Sequence, residues 1–427
     1  MQTVKLALAG FGTVGTGVAR ILEENEELLL KRSGIKYVIT SVLVRDTEKQ
    51  RDYIPGPETK FTTNPEDLTA DPEVDVVVEL MGGITLAKEI VVKAIKSGKH
   101  VVTANKHLLA VHGIELFKLA EEYGVGLYYE ASVAGGIPIV ESIKESLCVN
   151  KIKNIVGILN GTANYILSEM TTNGLEFDTA LSQAQELGYA EADPTFDIEG
   201  IDAAHKLVVL IRLAYGEDYP LEELPVEGIS KITGLDIKLA REFGYRIKLI
   251  GQVRDVCGKL EAGIFPALVK YTLLLARVGG NYNAIRVEGN AVGPAFFHGQ
   301  GAGALPTGSA VVADIMTLTK MDKPNNTGFY SSDLKKADIL PPEHATSEYY
   351  FRFTVADKAG VMAAISKILS EHNISIAQAV QKGDASGVNV PIVFLTHKAR
   401  AKDVNDALKI IDDMPFIAQS TISLRIL

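Results

Sequence analysis

Apolar residues along this chain switch between two spacings, and the switches mark out its elements. Thr3–Ala9 is a nearly continuous apolar run, the pattern of a strand buried on both faces of a parallel sheet, and helical spacing follows through Val18, Ile21 and Leu22. Tyr37–Val44, Val74–Leu80, His100–Thr103 and Gly126–Glu130 repeat the strand pattern, with helical stretches at Leu86–Lys96 and Ile114–Glu122. Strands alternating with helices predict a doubly wound α/β domain over residues 1–130.

After Ala131 the pattern changes. Ile152–Leu159 predicts a strand, Tyr165–Met170 and Phe177–Leu187 predict helices, and a further helix begins at Ile201 and runs through Leu207, Val208, Leu210, Ile211 and Leu213. A helix at Lys231–Phe243 and strands at Ile247–Val253 and Lys259–Phe265 give an α+β domain over residues 131–320. Glycine-rich Gly299–Gly308 opens an apolar helix, Ser309–Leu318, and residues 299–320 are expected to complete the first domain. Residues 321–347, polar and rich in Pro, Asn, Ser and Asp, read as a linker. Residues 348–427 read as strand Tyr349–Val355, helix Val361–His372, strands Ile374–Gln381 and Val390–Thr396, helix Ala401–Met414 and strand Ile422–Ile426. That β-α-β-β-α-β order is the ferredoxin-like split motif.

Size and composition exclude several classes. With 427 residues, 47% hydrophobic and 22% charged, the chain has material for roughly two or three cored domains. A net charge of −10 without any Lys/Arg-rich run argues against a nucleic-acid partner. No apolar run has the length of a membrane span, and the N-terminus opens into a strand rather than a leader, so a soluble cytoplasmic protein is expected. Cys148 and Cys257 have no metal-type spacing.

Gly10-Phe11-Gly12-Thr13-Val14-Gly15 joins the first strand to the first helix. Glycines there permit a tight turn and bring a pyrophosphate against the free amides of the helix N-terminus, the Rossmann-type dinucleotide cradle. Where NAD enzymes carry an acid for the ribose 2′-OH stands Arg45, with Lys49 nearby; the arginine favours the 2′-phosphate of NADP, and adjacent Asp46 leaves NAD open. Gly82 follows the third strand, and Thr103 ends the fourth, at the edge where open α/β sheets bind ligands. Lys106 just beyond is either part of a nicotinamide pocket or a loop-tip surface lysine. Glu130 and the small-residue turn behind it provide a carboxylate and several carbonyls, for a hard cation or simply for a turn. Thr162, in Asn160-Gly-Thr-Ala-Asn164, is placed to cap a helix.

The densest chemistry lies in Gly188–Lys206. Glu191, Asp193, Asp197, Glu199 and Asp202 precede a single lysine, Lys206, and Gly188, Pro194 and Gly200 keep the first part in loop. Asp202 and Lys206 are four apart on one helix face. Such a pair is either an exposed salt bridge beside a solvated acidic loop or a proton shuttle flanked by acceptors for a substrate amine.

Five segments in order resemble the homoserine dehydrogenase family from the glycine cradle to about Leu318: Gly10–Gly15, Thr103-Ala-Asn-Lys106, Glu130-Ala-Ser-Val-Ala-Gly-Gly-Ile-Pro138, Leu159-Asn-Gly-Thr-Ala-Asn-Tyr-Ile-Leu167 and Gly188–Lys206. The last two are highly specific. The C-terminal unit resembles an ACT domain, an amino-acid-sensing module, through its turn Asp357–Gly360 and His372-Asn-Ile-Ser-Ile376. With no kinase domain ahead of the first strand, the monofunctional type is expected.

The resemblance implies NAD(P)-dependent interconversion of L-homoserine and L-aspartate 4-semialdehyde in threonine, methionine and isoleucine synthesis. It implies Lys206 as the acid–base residue, Asp202 orienting it, Glu191 on the substrate amine, Asp197 and Thr162 as further substrate contacts, and Lys106 near nicotinamide and substrate. It also implies a sodium ion on Glu130 with main-chain oxygens of Val133, Gly135 and Ile137, and ligand or cofactor contacts at Gly188 and at Gly301 or Gly303. A homodimer through the second domain is implied, extendable to a homotetramer through the ACT units, with L-threonine as feedback effector at Asp357 and Gly360. Gly308 departs from the family, where many relatives carry Ala, a change expected to matter little.

Two other classes compete. A semialdehyde-type dehydrogenase with a cysteine nucleophile needs a thiol beside the nicotinamide, and Cys148 lies in no glycine-rich or His-paired context. A nucleotide-bound amino-acid sensor would not require Lys106, Glu191, Asp202 and Lys206 together.

Overall fold

The computed structural model describes residues 2–51, 53–381 and 389–427. Strands β1 (Gln2–Ala9), β2 (Ile35–Leu43), β3 (Lys60–Thr62), β4 (Val76–Glu79), β5 (His100–Thr103) and β6 (Leu127–Tyr128) form a parallel sheet in the order β3-β2-β1-β4-β5-β6. Helices α1 (Thr13–Glu24), α2 (Glu26–Ser33), α3 (Glu66–Thr69), α4 (Thr85–Lys96) and α5 (Lys106–Glu122) join them. This is the doubly wound arrangement expected from the alternating pattern, and its order reverses between β1 and β4, which opens a crevice at the strand ends. Strand β3 is too short to leave a periodicity. Helix α5 begins at Lys106 rather than Ile114, because the Asn105 side chain caps it, accepting from the Leu108 amide at 3.0 Å.

The second domain contains α6 (Ile139–Glu141), β7 (Ile152–Ile158), α7 (Gly161–Thr172), α8 (Phe177–Glu186), α9 (Thr195–Ile198), α10 (Ile201–Tyr215), β8 (Glu217–Asp218), α11 (Gly234–Glu242), β9 (Tyr245–Val256), β10 (Lys259–Lys270), β11 (Tyr282–Gly289) and β12 (Gly293–Gln300). Its sheet runs β12-β11-β7-β9-β10 and is antiparallel throughout. Helix α12 (Ala304–Leu318) then returns to the first domain, where Val311 and Ile315 join the core around Leu6, Leu8 and Val18. It starts earlier than its apolar run suggests, since Pro306 lies in the first turn, where no amide is needed. Gly308, which stands where many relatives carry Ala, lies at a close crossing of α12 with α1. A Cβ on Gly308 would stand 2.9 Å from the backbone of Gly17 and Val18, and a Cβ on Gly17 would stand 2.0 Å from the Ala304 carbonyl oxygen. Helices α1 and α12 cross backbone to backbone: only glycine fits at 17, whereas a side chain at 308 would need the two helices to shift apart slightly.

The polar segment after α12 is pinned rather than free. Asn326 accepts from the Leu127 amide at 2.8 Å, β13 (Lys335–Lys336) pairs with β8, and Leu334 and Ala337 are buried. The Leu260 amide donates to Asp338 O at 2.8 Å. Its polar groups satisfy the open edges of β6 and β10, so this stretch is a strap.

The C-terminal unit comprises β14 (Thr346–Ala356), α13 (Val361–Glu371), β15 (Ile376–Gln381), β16 (Asn389–Thr396), β17 (Ala399–Arg400), α14 (Ala401–Asp412) and β18 (Ile417–Ile426), with main strand order β18-β14-β16-β15. It is the ferredoxin-like unit expected, but it is not a free appendage. Strand β18 pairs in parallel with β10 at Ala267–Arg425 and Leu268–Ile426, merging the two sheets. Beside this seam, Arg352 donates to Asp236 of α11 from Nε at 2.6 Å and from Nη2 at 3.0 Å. No described helix is long and apolar enough to cross a membrane.

Candidate active site

Helix α10 is apolar around most of its circumference and twelve of its residues are buried, so it runs through the domain interior. Asp202 and Lys206 are therefore only 7% and 8% exposed, which removes the surface salt-bridge reading. Lys206 Nζ donates to Asp202 Oδ2 at 2.7 Å and to the Leu159 carbonyl at 2.8 Å. Lys106, the first residue of α5, reaches the other oxygen, Asp202 Oδ1, at 3.0 Å. One carboxylate thus joins two lysines, one from each domain.

Asn160 completes this arrangement. Its Oδ1 caps α7 by accepting from Ala163 N at 2.7 Å, while Nδ2 donates to Asp197 Oδ1 at 2.6 Å and Asp202 Oδ2 at 2.9 Å. The sequence reading missed it by favouring Thr162 as the cap, although an Asn directly before the helix was signal enough. Thr162 instead donates to the Tyr189 carbonyl at 2.7 Å and pins the start of the acidic loop. Of the five carboxylates, Asp202, Asp197 and Glu191 face the lysines: Asp197 through Asn160, and exposed Glu191 through its charge on Lys106. Asp193 binds Thr195 within the loop, and the Glu199 side chain lies against Gly228.

The two lysines are tuned in opposite directions. Burial lowers the Lys206 pKa, with Asp202 opposing it. The Asp202 charge raises Lys106, whose side chain is 40% exposed and less desolvated. Burial alone would raise Asp202, but Lys206 and Lys106 hold it well below the usual carboxylate range. Burial raises Asp197.

The glycine turn fits a dinucleotide. Helix α1 has Gly12 at its N-cap and no side-chain cap, leaving its first amides free. A Cβ on Gly10 would stand 2.9 Å from the Leu80 carbonyl oxygen and one on Gly15 2.7 Å from that of Gly10, whereas Gly12 has open space. Phe11, Thr13 and Val14 lie between these glycines, and the Phe11 ring packs edge-on to Phe61 at 5.6 Å. Arg45 and Lys49 are exposed just past β2. Arg51, which the sequence reading passed over, lies on the face of Phe61, 4.7 Å from its centroid, beside them. Gly82 and Gly83 both have positive φ, and Asn105 Nδ2 holds the Gly83 carbonyl at 2.6 Å. Thr103 is fully buried and donates to Glu79 Oε2 at 2.7 Å. Gly301 lies against Asn283, so closely that a Cβ would stand 2.2 Å from its side chain, and Gly303 (φ 124) is the N-cap of α12. Gly188 (φ 72) opens the acidic loop on the surface.

The sodium set fares differently. Glu130 is buried, and both its carboxylate oxygens accept backbone amides, from Val140 at 2.9 Å and Glu141 at 2.6 Å. The Ile137 carbonyl accepts from Ile139 N at 2.8 Å. Each of these oxygens thus accepts one amide and keeps a further lone pair. In the C-terminal unit, Asp357 and Gly360 lie in the exposed β14–α13 turn, where Gln381 donates to Asp357 Oδ1 at 3.1 Å. Cys148 and Cys257 are exposed, outside the lysine site.

Comparison with known proteins gives the family. Residues 138–316 match the family model "Homoserine dehydrogenase", residues 10–130 its NAD binding domain and residues 349–416 the ACT domain. The homoserine dehydrogenase of Neisseria gonorrhoeae is 43% identical over 431 residues, covering 100% of this chain and 99% of that one. The crystal structure of a homoserine dehydrogenase from Thiobacillus denitrificans superposes with a TM-score of 0.93 at 42% identity, covering 100% of this chain and 98% of that one. A hyperthermophilic archaeal homoserine dehydrogenase in complex with NADPH is 28% identical with a TM-score of 0.62, covering 76% of this chain and 100% of that one.

Proposed function

The chain belongs to the homoserine dehydrogenase family, and from that premise we propose that Lys206 moves the hydroxyl proton as L-homoserine and L-aspartate 4-semialdehyde interconvert. The observation that carries this reading is the buried Asp202 carboxylate shared by Lys106 and Lys206 at 3.0 and 2.7 Å. In the direction of alcohol oxidation a base must take the hydroxyl proton. A lysine with a lowered pKa is neutral in a larger fraction of molecules, which suits that task. Lys106, held charged by Asp202, stabilises negative charge on the same oxygen. Glu191 and Asp197 receive the substrate ammonium. A nicotinamide dinucleotide, when bound, supplies the hydride acceptor. Homoserine-dependent reduction of NADP or NAD, followed by absorbance, tests the reaction; no turnover with either nucleotide counts against it.

NADP is the preferred nucleotide in this reading, supported by Arg45 and by the NADPH complex of the archaeal relative. A charge-assisted contact to phosphate contributes about 1.5–3 kcal/mol. Arg45→Ala should weaken NADP by about that amount and spare NAD; equal losses for both would contradict it. L-Threonine is the effector in this reading, bound at the exposed Asp357–Gly360 turn at the end of a threonine-pathway enzyme. Threonine on the order of millimolar should slow the full-length enzyme and lose its effect in Asp357→Ala, an outcome requiring different affinities in two states. An unregulated wild type removes the assignment.

A further inference from the structure

Three rings pack together beside the paired lysines, each adjacent in sequence to a polar residue of the site. His107 follows Lys106, Phe196 precedes Asp197, and His205 precedes Lys206. The imidazoles of His107 and His205 stack at 4.5 Å with planes 10° apart, and Phe196 tilts against both, at 6.1 Å from His107 and 5.8 Å from His205. The rings come from α5, α9 and α10, the three elements that must meet for the site to exist. Buried His205 Nδ1 has no hydrogen-bond partner among the described residues, so stacking and burial, rather than a directed bond on that nitrogen, hold this ring.

We propose that Phe196, His107 and His205 form an aromatic clasp that positions Lys106, Asp197 and Lys206 around Asp202, and that it holds only while both imidazoles are neutral. The proposal rests on the acid–base reading of Lys206 above and adds positioning residues to it. Two neutral rings stack favourably in near-parallel planes at this separation, whereas two imidazolium rings there repel. The charged groups around them reinforce this. His107 faces Lys106 and His112, and His205 faces His107, Asp202, Lys106 and Lys206, so cations outnumber the one carboxylate. A proton on partly buried His107 would stand directly against Lys106, and its repulsion would oppose the contact of α5 with α10 that the clasp joins. Burial and the neighbouring His107 push His205 down to about 4, and a charge on His107 would oppose its protonation further.

The test uses the full-length enzyme in the direction of aldehyde reduction. There Lys206 must be protonated, so its titration forms the alkaline limb and leaves the acid limb to other groups. His107→Phe keeps a ring and removes the titration. On the acid side it should retain several-fold more kcat than wild type, each relative to its own plateau, with the acid limb moved to lower pH. His107→Ala and Phe196→Ala remove a ring and should lower kcat roughly tenfold or more at every pH, with little change in KM for the nucleotide. A purely structural role would lower the melting temperature of these variants while leaving kcat and the acid limb as in wild type, and that result overturns the clasp. If Lys206→Ala is inactive while every ring variant behaves as wild type, the clasp falls and the acid–base reading stands. Normal turnover in Lys206→Ala sinks both.

Discussion

Asp202 and Asp236 stand at the two seams of this chain. Each is a buried carboxylate on a helix, bonded to a cation from the neighbouring domain: Asp202 to Lys106 of α5, Asp236 to Arg352 of β14. Their donors differ. Asp236 meets a two-pronged guanidinium, the Tyr350 hydroxyl at 3.3 Å and the Thr233 hydroxyl at 2.6 Å, with Thr233 N at 3.1 Å. Arginine does not release its proton in a protein, so this site is closed and serves architecture. Asp202 meets two ammonium groups, each on a titrating stem, beside a loop that leaves Glu191 exposed. A buried anion thus makes a joint in one place and, in the function proposed above, a proton-transfer site in the other, according to whether the cation can lose its proton.

The strongest way to break this comparison is to exchange the cations. Lys206→Arg keeps the charge and removes the ability to titrate, and with Lys206→Ala it should lose about 10²–10⁴ in kcat while folding normally. Near-wild-type turnover by either variant, in protein shown to be folded, would contradict the division. Arg352→Ala is the converse change. It leaves Asp236 buried without its partner, which should cost about 3–5 kcal/mol in urea unfolding with kcat of the folded enzyme retained. For the same reason, removing the C-terminal unit after Thr346 should destabilise what remains. If Arg352→Ala unfolds like wild type, the seam is not held by that pair.

A third buried cation sharpens the point with a smaller effect. Lys248 has no carboxylate partner among the described residues; it donates to Asn164 Oδ1 at 2.9 Å and the Val278 carbonyl at 2.6 Å, and burial pushes it down to about 8. Its folded pKa lies below the ordinary 10.5, so the unfolded chain binds more protons between those values. Stability should therefore rise with pH from about 8 towards 10.5 by this group's contribution. Denaturant midpoints of wild type and Lys248→Met across that range should diverge; parallel curves would mean that the ammonium is not penalised by burial.

Much of the site was legible before any coordinates because its parts are local. The turn at Gly10–Gly15 lies between adjacent elements, and the spacing of Asp202 and Lys206 is a property of one helix. Less was legible about α5, whose start at Lys106 depends on one capping side chain, or about the strap near Asn326, whose polar residues look like linker until the edges they satisfy are known. The close crossing at Gly17 and Gly308 was hidden because the two glycines are remote in sequence.

The chain by itself determined the alternation of strands and helices, the ferredoxin-like order at its end, the dinucleotide turn and the Asp202–Lys206 pair, because periodicity and i,i+4 geometry are carried within single elements. Only the tertiary structure decided that this pair is buried, that Lys106 and Asn160 share its carboxylate, that two histidines and a phenylalanine stack beside it, and that the Glu130 carboxylate accepts the amides of Val140 and Glu141. Desolvation and charge pairing set what an ionisable group does, and both depend on which distant segments pack against it.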